Sequence, residues 1–284
     1  QVVLISDGDL RQTAASSATL GDTPIDFVRV GPPPGGASGA GAHPRGRGLG
    51  PRGGRMKDVW LRGGPPTHPW VYDKRVRRVD PGTAAGSVVR VKTREGRPVG
   101  YAFFHPQSRI TLRMLSADAH TRPDEIWLRE KIAAADGLRS DLLHLPEVTN
   151  AWRVVHGEGD GLSGLVVDRY GDVGSVQLYS LGWARRQEEL ERVLREEAGL
   201  ERIVVRADKK AAQQEGIDLP PPPRMKPVEV EEYDVVYRVD PTGRHKTGFF
   251  LDQRENRRFL ARLVPGRTVF DGMTHAGGFA LAAA

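Results

Sequence analysis

The end of the chain, residues 243–284, carries the pattern that most restricts the fold. The apolar residues 268–270 are typical of a buried parallel strand, which Asp271 closes. The small residues 276–278 follow, where the chain must turn tightly, and an apolar helix begins at Phe279. A strand, a carboxylate, a small-residue loop and a helix together form the nucleotide-binding corner of a doubly wound sheet. A packed turn without a ligand has the same pattern, so both interpretations stay open.

A helix is predicted directly before this strand. Asp252 and Glu255 resemble a capping box at its start, and Pro265 follows its end. Three apolar residues share one face of this helix: Phe259, Leu260 and Leu263. The predicted order is therefore helix, strand, loop, helix.

Composition excludes several classes of protein. The 284 residues are 38% hydrophobic and 27% charged, which suits a protein of about two domains. No apolar stretch approaches the roughly 20 residues that span a bilayer, and residues 1–30 do not resemble a signal peptide. Cysteine is absent, which excludes disulfides and thiolate metal sites within the chain and makes a cytoplasmic location the expectation.

The net charge of +6 is unevenly distributed along the chain. Residues 56–120 contain 12 Lys and Arg against 5 Asp and Glu, whereas residues 121–284 contain 24 against 27. A basic module of this kind attracts polyanions through counterion release, and nucleic acid is the usual partner. A solvated basic surface is the alternative.

Three segments with different patterns precede residue 243. Residues 1–55 are rich in Gly, Pro, Ala and Arg and are expected to be a disordered or non-native extension, with Met56 as the native start. An RNA-binding tail of the RGG type is the alternative for that extension. Residues 56–122 contain regularly spaced β-rich stretches that predict a small barrel: 87–92, 99–104 and 109–115.

Residues 123–242 predict a compact α+β unit. Its predicted helices cover residues 123–144 and 185–198. Its predicted strands are residues 152–156, 164–170, 175–181 and 202–206, with a strand pair within 228–240. Gly199 is expected to end the second helix.

The sequence contains four separated motifs in the same order as in a known family. They are residues 61–64 with 68–72 (LRGG and HPWVY), 155–171 (VHGEGDGLSGLVVDRYG), 245–254 (HKTGFFLDQR) and 277–279 (GGF). With these motifs the chain resembles the PUA-domain class I S-adenosylmethionine (SAM)-dependent methyltransferases that make 5-methylcytosine in bacterial large-subunit ribosomal RNA.

The resemblance implies an α/β fold with a β-barrel. A PUA-like RNA-binding barrel would occupy residues 56–122 and a central α+β domain residues 123–242. Residues 243–284 would begin a Rossmann-like methyltransferase domain, truncated at its first motif. The implied cofactor is SAM and the implied partner is ribosomal RNA, without a membrane. The oligomeric state is left open, with a homodimer as one alternative.

The resemblance also implies site residues. The expected cofactor residues are Asp252, Gln253, Arg254, Asp271, Gly277, Gly278 and Phe279. For residues 252–254, helix capping and a surface ion pair are the alternative to a cofactor-side or substrate-side role. The loop filling at residues 272–276 departs from the family pattern. The expected RNA-binding residues are Lys74, Arg75, Arg77, Arg78, Arg90 and Lys92.

Two further groups of residues invite a functional interpretation. His156, Asp160 and Asp168 lack a metal-ligand spacing, and Asp160 with Gly161 fits a hairpin turn, so no metal is expected. Residues 68–70 are expected to anchor the barrel core, with base stacking as the alternative.

The chemistry of cytosine methylation limits what this chain can do. Carbon five of cytosine is a poor nucleophile, and the usual solution is attack by a cysteine thiolate on the neighbouring ring carbon. Because the chain contains no cysteine, no catalytic residue is predicted within it, and the nucleophile is expected downstream. The chain is thus interpreted as an N-terminal fragment that is inactive and binds SAM poorly.

Three other function classes remain. One is a non-catalytic PUA-type RNA-binding protein, and another is a SAM methyltransferase acting on another RNA base. A Rossmann oxidoreductase is the third, although residues 271–279 lack the G-x-G-x-x-G fingerprint that this class expects.

Overall fold

The computed structural model describes residues 2–6, 56–242, 249–272, 274 and 276–284, with the backbone alone described for residues 2–6. The rest of the expected N-terminal extension lies outside these ranges, as do residues 245–248 of the third motif and two residues of the glycine loop, Met273 and His275. Among the helices of the described ranges, none has the length and apolar character needed to cross a membrane.

The secondary structure of the described ranges is as follows. The strands are β1 (Val2–Ser6), β2 (Asp58–Leu61), β3 (Trp70–Tyr72), β4 (Val76–Val79), β5 (Val88–Lys92), β6 (Pro98–Phe104), β7 (Ile110–Ser116), β8 (Ala151–His156), β9 (Leu165–Tyr170), β10 (Val173–Leu178), β11 (Arg202–Ala207), β12 (Val228–Glu232), β13 (Val235–Val239) and β14 (Thr268–Gly272). The helices are α1 (Glu125–Gly137), α2 (Leu181–Ala184), α3 (Gln187–Ala198), α4 (Lys209–Glu215), α5 (Arg254–Leu263) and α6 (Gly278–Ala283).

The first unit is a half-barrel sheet with the strand order β3-β7-β6-β5-β2-β4. Only the β2–β5 pair is parallel within this sheet; the other pairs are antiparallel. Alternate residues point inward, as a period of two requires, and they form an apolar core that includes Val59, Leu61, Val89 and Val91. The opposite face of β2 and β5 therefore carries their polar residues.

The central unit is a four-stranded sheet with the order β11-β10-β9-β8. Strands β10 and β11 are parallel because α3 provides the crossover between them. Helices α1 and α3 pack on the sheet, and Leu190, Val193 and Leu194 of α3 are buried as their helical spacing predicts. Helix α3 ends at Gly199 in the left-handed conformation, with φ of 58°.

The barrel has its own apolar core, but two of its buried residues, Phe103 and Leu115, belong to the apolar core of the central unit. The Phe103 ring of β6 meets the Trp183 ring of α2 edge to face, with a centroid distance of 5.1 Å. Gly182 is required at this contact because a Cβ atom there would lie 2.2 Å from the Phe103 ring. Leu115 of β7 joins the same cluster. The two units are thus packed against each other through buried hydrophobic side chains.

The C-terminal segment, which is described from residue 249 to residue 284 except at residues 273 and 275, is attached to the central unit through the hairpin β12–β13 of that unit. Hairpin β12–β13 packs beside β8 and β9 and forms a third cluster with Phe249 and Leu251. Strand β14 pairs in parallel with β1. Apolar side chains that remain exposed in this segment are Phe259, Leu263, Phe270 and Leu281.

Most predicted elements are confirmed, and the differences have local causes. The strand predicted at 175–181 ends at Leu178, because Ser180 caps α2 by accepting a hydrogen bond from the Gly182 amide. The helix predicted at 123–144 is α-helical only to Gly137 and continues as one π-helical turn. The capping box at Asp252 was wrong, since the N-cap of α5 is Gln253 and makes no side-chain cap bond.

Other elements were not predicted individually. Strands β2, β3 and β4 are four residues or shorter, and α4 is a helix of seven residues. Strand β1 lies in the segment expected to be disordered or non-native, where its five residues pair with β14.

Candidate functional site

The glycine loop joins β14 to α6, as the sequence pattern predicts. Gly277 has a φ of 69°, in the left-handed region, and its amide donates to the Thr274 hydroxyl at 2.9 Å. One carboxylate oxygen of Asp271, Oδ2, accepts from the Ala280 amide at 3.1 Å. The other, Oδ1, is buried and has no hydrogen-bond partner among the described residues. The corner therefore holds one carboxylate oxygen that could accept from a bound ligand.

Gly278 is required for a different reason. A Cβ atom at Gly278 would lie 2.9 Å from Cδ of Arg257, whose side chain passes beneath the loop. The guanidinium of Arg257 makes two hydrogen bonds to Glu232, at 2.7 and 2.6 Å, and both side chains are almost fully buried. A third bond from Arg257 reaches the carbonyl of Phe250 at 3.1 Å. The loop thus lies on a buried ion pair between α5 and the β12–β13 hairpin.

The three polar residues before α5 lie in different environments. Asp252 is exposed in the 3-10 turn Leu251–Gln253. The Gln253 side chain accepts from the Asn256 amide nitrogen at 2.9 Å, and Arg254 lies 3.2 Å from Glu255. For Arg254 the structure shows the surface ion pair that the sequence left as an alternative. Within the described ranges, none of these three side chains makes a hydrogen bond or an ion pair with Asp271.

The six basic residues expected to bind RNA lie at one edge of the barrel sheet, on β4 and β5, which flank β2, and on the turn before β4. Lys74 and Arg75 lie on the 3-10 turn Asp73–Arg75, and the other four lie on β4 and β5. Four of the six are exposed: Lys74, Arg75, Arg77 and Arg78. We call these four residues the β4 surface.

Arg90 and Lys92 are occupied by a carboxylate instead. Arg90 Nε lies 2.8 Å from Asp58 Oδ1, and Lys92 Nζ lies 2.6 Å from Asp58 Oδ2. Burial alone would raise the pKa of the Asp58 carboxyl, but the hydrogen bonds from Arg90 and Lys92 outweigh it and lower the pKa. This neutralisation makes Arg90 and Lys92 weaker candidates for phosphate binding than the β4 surface.

An aromatic ring links the β4 surface to this ion pair. Trp60 of β2 pairs in register with Arg78 of β4 and with Lys92 of β5. The Arg78 guanidinium lies 4.0 Å from the Trp60 ring centroid, and Lys92 Nζ lies 5.3 Å from it. The sequence did not predict this arrangement, because it depends on which strands become neighbours.

The residues considered as metal ligands are engaged by arginines. Asp160 pairs with Arg139 at 2.7 Å, and the fully buried Asp168 pairs with Arg153 at 2.8 Å. His156 lies 3.3 Å from Arg153 through Nδ1. Within the described ranges, no group of three His, Asp or Glu side chains has a metal-binding arrangement. Asp160 precedes Gly161, whose left-handed φ of 72° fits the predicted turn.

The expectation that residues 68–70 anchor the barrel core is wrong for Trp70. Trp70 is half-buried and lies outside the apolar core of the barrel. Its indole nitrogen donates to Glu158 of the central unit at 2.6 Å. Glu158 also accepts from the Ser163 hydroxyl and the Gly164 amide. Trp70 therefore fastens the barrel to the central unit rather than filling the barrel.

A cleft of about 610 Å³ opens beside this contact, between the barrel and the central unit. Its walls come from β3 and β7 on one side and from β8, β9 and α4 on the other. The lining includes the cations Arg109, Arg113, Arg153 and Lys210. The sequence pattern predicts a functional role for none of these four cations, because they are separated by as many as 101 positions and carry no local motif.

Comparison with known proteins agrees with this architecture. Residues 66–117 match the PUA-like domain family. "Ribosomal RNA large subunit methyltransferase I" of Shewanella denitrificans is 33% identical over 227 residues, which cover 76% of this chain and 56% of that protein. The protein of the same name from Shewanella amazonensis is 34% identical over 223 residues, covering 76% and 56%. The chain thus spans about half the length of the curated relatives it matches.

Two solved structures share the fold. One, assigned as a SAM-dependent methyltransferase of Streptococcus mutans, aligns with a TM-score of 0.58 at 17% identity, covering 73% of this chain and 54% of that one. Another, assigned as a methyltransferase and solved in complex with S-adenosylhomocysteine (SAH), aligns with a TM-score of 0.54 at 17% identity, covering 72% and 53%. The chain therefore carries a PUA-like domain and is similar, over 76% of its length, to ribosomal RNA large-subunit methyltransferases.

Proposed function

We propose that this chain is part of a SAM-dependent methyltransferase of large-subunit ribosomal RNA, in which the barrel and the central unit bind the RNA. The observation that carries the proposal is the 33% identity over 227 residues to a protein named for that activity. We further propose the division predicted above: a PUA-like barrel at 56–122, a central domain at 123–242 and the start of a methyltransferase domain at 243–284. A cytoplasmic location fits an RNA substrate of this kind.

The cofactor would lie at the glycine loop. Asp271 Oδ1 is a buried acceptor with no partner among the described residues, which suits a ligand that donates a hydrogen bond. Gly277 and Gly278 carry no side chains that would block a close approach to the loop backbone, and the buried Phe279 anchors α6 behind it. SAM, when bound, supplies an activated methyl group. Asp271, Gly277, Gly278 and Phe279 would hold and orient it.

Asp252, Gln253 and Arg254 are proposed to face the cofactor or the substrate. Their support is positional: the 3-10 turn that carries Asp252 packs beside β8, whose Arg153 lines the cleft. The position thus lies between the cleft and the helix α5 that underlies the glycine loop. A purely structural role at the start of α5 is the alternative, and the Arg254 pair with Glu255 favours it for that residue.

The β4 surface is proposed to bind RNA phosphates. Its four cations are exposed, and the ion pair of Arg78 with Asp80 is long, at 3.7 Å, beside the contact of Arg78 with the Trp60 ring. Cations with weak internal pairing lose little when they exchange water and counterions for phosphate oxygens. Arg90 and Lys92 belong to the same face but would contribute less, because Asp58 already neutralises them in part.

The proposal also names the atom that is methylated, carbon five of cytosine. That chemistry requires a cysteine nucleophile, and a chain with no cysteine must obtain it from residues outside these 284. The same absence keeps methylation of another RNA base as a second candidate.

The proposal is tested with the product of the open reading frame that contains this chain. It is incubated with unmodified large-subunit ribosomal RNA and SAM labelled in its methyl group, and the RNA is then digested to nucleosides. Labelled 5-methylcytidine, identified by mass spectrometry, is the expected product. A different methylated nucleoside would support the second candidate, and unlabelled RNA that the protein nevertheless binds would indicate a non-catalytic RNA-binding protein.

A second experiment isolates RNA binding by the β4 surface. The triple variant Arg75→Ala, Arg77→Ala and Arg78→Ala should weaken RNA binding. The slope of log affinity against log salt concentration should fall by about 2, because each lost phosphate contact on a single strand contributes roughly 0.7. The matched control removes three exposed arginines from the central unit: Arg192, Arg195 and Arg202. Equal losses in the two variants would contradict a specific β4 surface.

A further inference from the structure

The cleft between the barrel and the central unit contains more cationic and aromatic groups than the packing of the two units uses. Its volume of about 610 Å³ lies within the range of roughly 300–1,000 Å³ typical of ligand clefts. Most of the charged side chains in its wall are already paired. The groups that remain unpaired therefore indicate what kind of ligand the cleft could hold.

The paired groups form a rigid wall. Glu158 accepts from the Trp70 indole nitrogen, the Ser163 hydroxyl and the Gly164 amide. Burial alone would raise the pKa of Glu158, but these bonds hold it lowered, so the carboxylate stays ionised and is covered by donors. Arg153 is held by the buried Asp168 through two hydrogen bonds.

A second carboxylate fixes the opposite side of the cleft. Glu215, at the end of α4, is buried and accepts from the Ser108 hydroxyl at 3.0 Å and the Leu181 amide at 2.8 Å. Its Oε1 lies 3.5 Å from Nε of Arg113 on β7. Glu215 thereby fastens α4 to the barrel and to α2, which sets the position of Lys210 relative to the barrel wall.

Among the charged and aromatic side chains that line the cleft, four make no side-chain hydrogen bond or ion pair within the described ranges. Two are exposed cations, Arg109 on the barrel side and Lys210 on α4. The other two are phenols, Tyr72 at the end of β3 and Tyr179 after β10. Burial raises the pKa of Tyr179, so its ring stays neutral and its hydroxyl remains available as a donor and acceptor.

Two unpaired cations and two unpaired phenols match the parts of a nucleotide. Cations bind phosphate oxygens, and aromatic rings stack on any base with little dependence on sequence. Single-stranded RNA is recognised largely in this way, because an unpaired base can turn out and stack on an aromatic side chain. A ligand that was only an anion would leave the two phenols unused.

The position of the cleft agrees with such a ligand. Tyr72 directly precedes the turn that carries Lys74 and Arg75, so the β4 surface begins at the rim of the cleft. At the other side, the turn with Asp252 packs against β8, the strand of Arg153. An RNA strand on the β4 surface could thus enter the cleft and approach the segment before α5.

We propose that this cleft binds an unpaired nucleotide of RNA, with Arg109 and Lys210 on the phosphates and Tyr72 and Tyr179 against the base. The inference rests on the proposed RNA substrate and adds a binding site separate from the β4 surface. It assigns no catalytic role to the four residues, which hold the strand rather than react with it.

Binding of a fluorescein-labelled oligouridine of 12 nucleotides to the 284-residue chain, followed by anisotropy over a salt series, tests the phosphate contacts. The double variant Arg109→Ala/Lys210→Ala should weaken binding about tenfold near 0.1 M salt. It should also lower the slope of log affinity against log salt concentration by about 1.4, which corresponds to two phosphate contacts at roughly 0.7 each on a single strand. The control Arg97→Ala/Lys209→Ala removes the same charge from exposed neighbours outside the cleft and should change affinity less than about threefold. Equal losses in the two double variants would contradict the proposal.

The base contacts are tested with Tyr72→Ala and Tyr179→Ala. Each should weaken binding of the oligouridine at least about fivefold while leaving an abasic oligomer of the same length unaffected, since stacking needs the base. Parallel loss for both oligomers would overturn the assignment of the phenols to the base. Competition by polyglutamate as effective as that by RNA would also overturn it, because it would indicate an acidic protein segment as the ligand.

The outcomes also separate this inference from the proposed function. If the β4 triple variant loses RNA binding and the cleft variants do not, the cleft inference fails and the proposed function stands. If the unaltered chain binds no RNA at any salt concentration, the RNA-binding role proposed for the barrel fails first.

Discussion

The barrel and the C-terminal segment are both attached to the central unit, but a buried ion pair is central to the attachment of the second and not of the first. The barrel is joined through buried rings, with Phe103 against Trp183 and a glycine that lets them approach. The C-terminal segment is joined through the third apolar cluster, which includes Phe249 and Leu251, and through the buried Arg257–Glu232 pair. Its apolar residues Phe259, Leu263 and Phe270 stay exposed. The apolar joint buries surface without needing exact partners, whereas the ionic joint depends on both charges being present.

These two kinds of attachment predict which parts of the chain should unfold together. A shared apolar core couples the barrel and the central unit into one cooperative structure, which keeps the walls of the cleft fixed. The glycine loop lies directly on the buried Arg257–Glu232 pair, so the loss of one partner should loosen this loop before the rest of the chain. The part proposed to bind RNA should therefore be robust, and the glycine loop should be sensitive to single substitutions.

The largest expected effect is at the apolar joint. Trp183→Ala removes a fully buried ring and should lower the free energy of unfolding by about 4 kcal/mol, within one cooperative urea transition. The matched control Trp60→Ala removes a surface ring stacked by Arg78 and should cost about 1 kcal/mol. Two separate transitions for the barrel and the central unit would contradict the shared core.

The next effect is at the ionic joint. Arg257→Met leaves the buried Glu232 carboxylate without its partner and should destabilise the C-terminal segment by about 3 kcal/mol. Hydrogen exchange should rise in α5, α6 and the β12–β13 hairpin and stay unchanged in α1 and α3. The double variant Arg257→Met/Glu232→Leu should recover most of the loss, because no unpaired charge then remains buried. Uniform exchange over the whole chain would count against a separate joint.

A smaller effect is expected at the glycine loop. Gly278→Ala places a methyl group 2.9 Å from Arg257 Cδ and should cost about 1–2 kcal/mol, since the buried arginine cannot move away freely. Gly64→Ala serves as a control at an exposed position where a Cβ atom has open space and φ is not in the left-handed region, and it should be nearly neutral. If Gly278→Ala left the free energy of unfolding unchanged in thermal unfolding, the Arg257 side chain would not be held in place.

The smallest effect concerns the partly exposed ion pair of the barrel. Asp58 has a lowered pKa in the folded chain, so its contribution to stability is present above the usual carboxyl pKa near 4 and is lost as the pH falls through the lowered value. Asp58→Asn should cost about 1 kcal/mol at pH 7 by chemical denaturation, and the cost should shrink as the pH falls below the usual carboxyl pKa. It should also strengthen RNA binding, because Arg90 and Lys92 become available. Unchanged RNA affinity would place those two cations outside the RNA surface.

How far the sequence predicts this structure depends on the range of the interactions. Period-two and helical patterns predicted β5, β6, β7, β9 and α3, because these depend on residues close in the chain. The glycine loop was likewise visible as a local pattern around Gly277. The Asp58 pair with Arg90 and Lys92 was not, since it requires β2 and β5 to become parallel neighbours 32 residues apart.

The cleft shows the same limit more strongly. Arg109 and Lys210 are exposed cations with nothing in their local sequence to distinguish them from Arg97 and Lys209. They become a pair of interest only because the Phe103–Trp183 core brings the barrel against the central unit. Trp70 was assigned to the barrel core for a related reason: its partner Glu158 lies 88 residues away.

The central claim, that the barrel and the cleft form the RNA-binding part of a methyltransferase, is tested most directly by photocrosslinking. The 284-residue chain is irradiated with single-stranded RNA containing 4-thiouridine, and the crosslinked peptides are identified by mass spectrometry. We expect crosslinks in the β3–β4 segment, at Tyr72 and its neighbours, and in the segment from Tyr179 to Lys210. Crosslinks confined to the acidic surface of α3, or none at concentrations that bind RNA, would contradict the account.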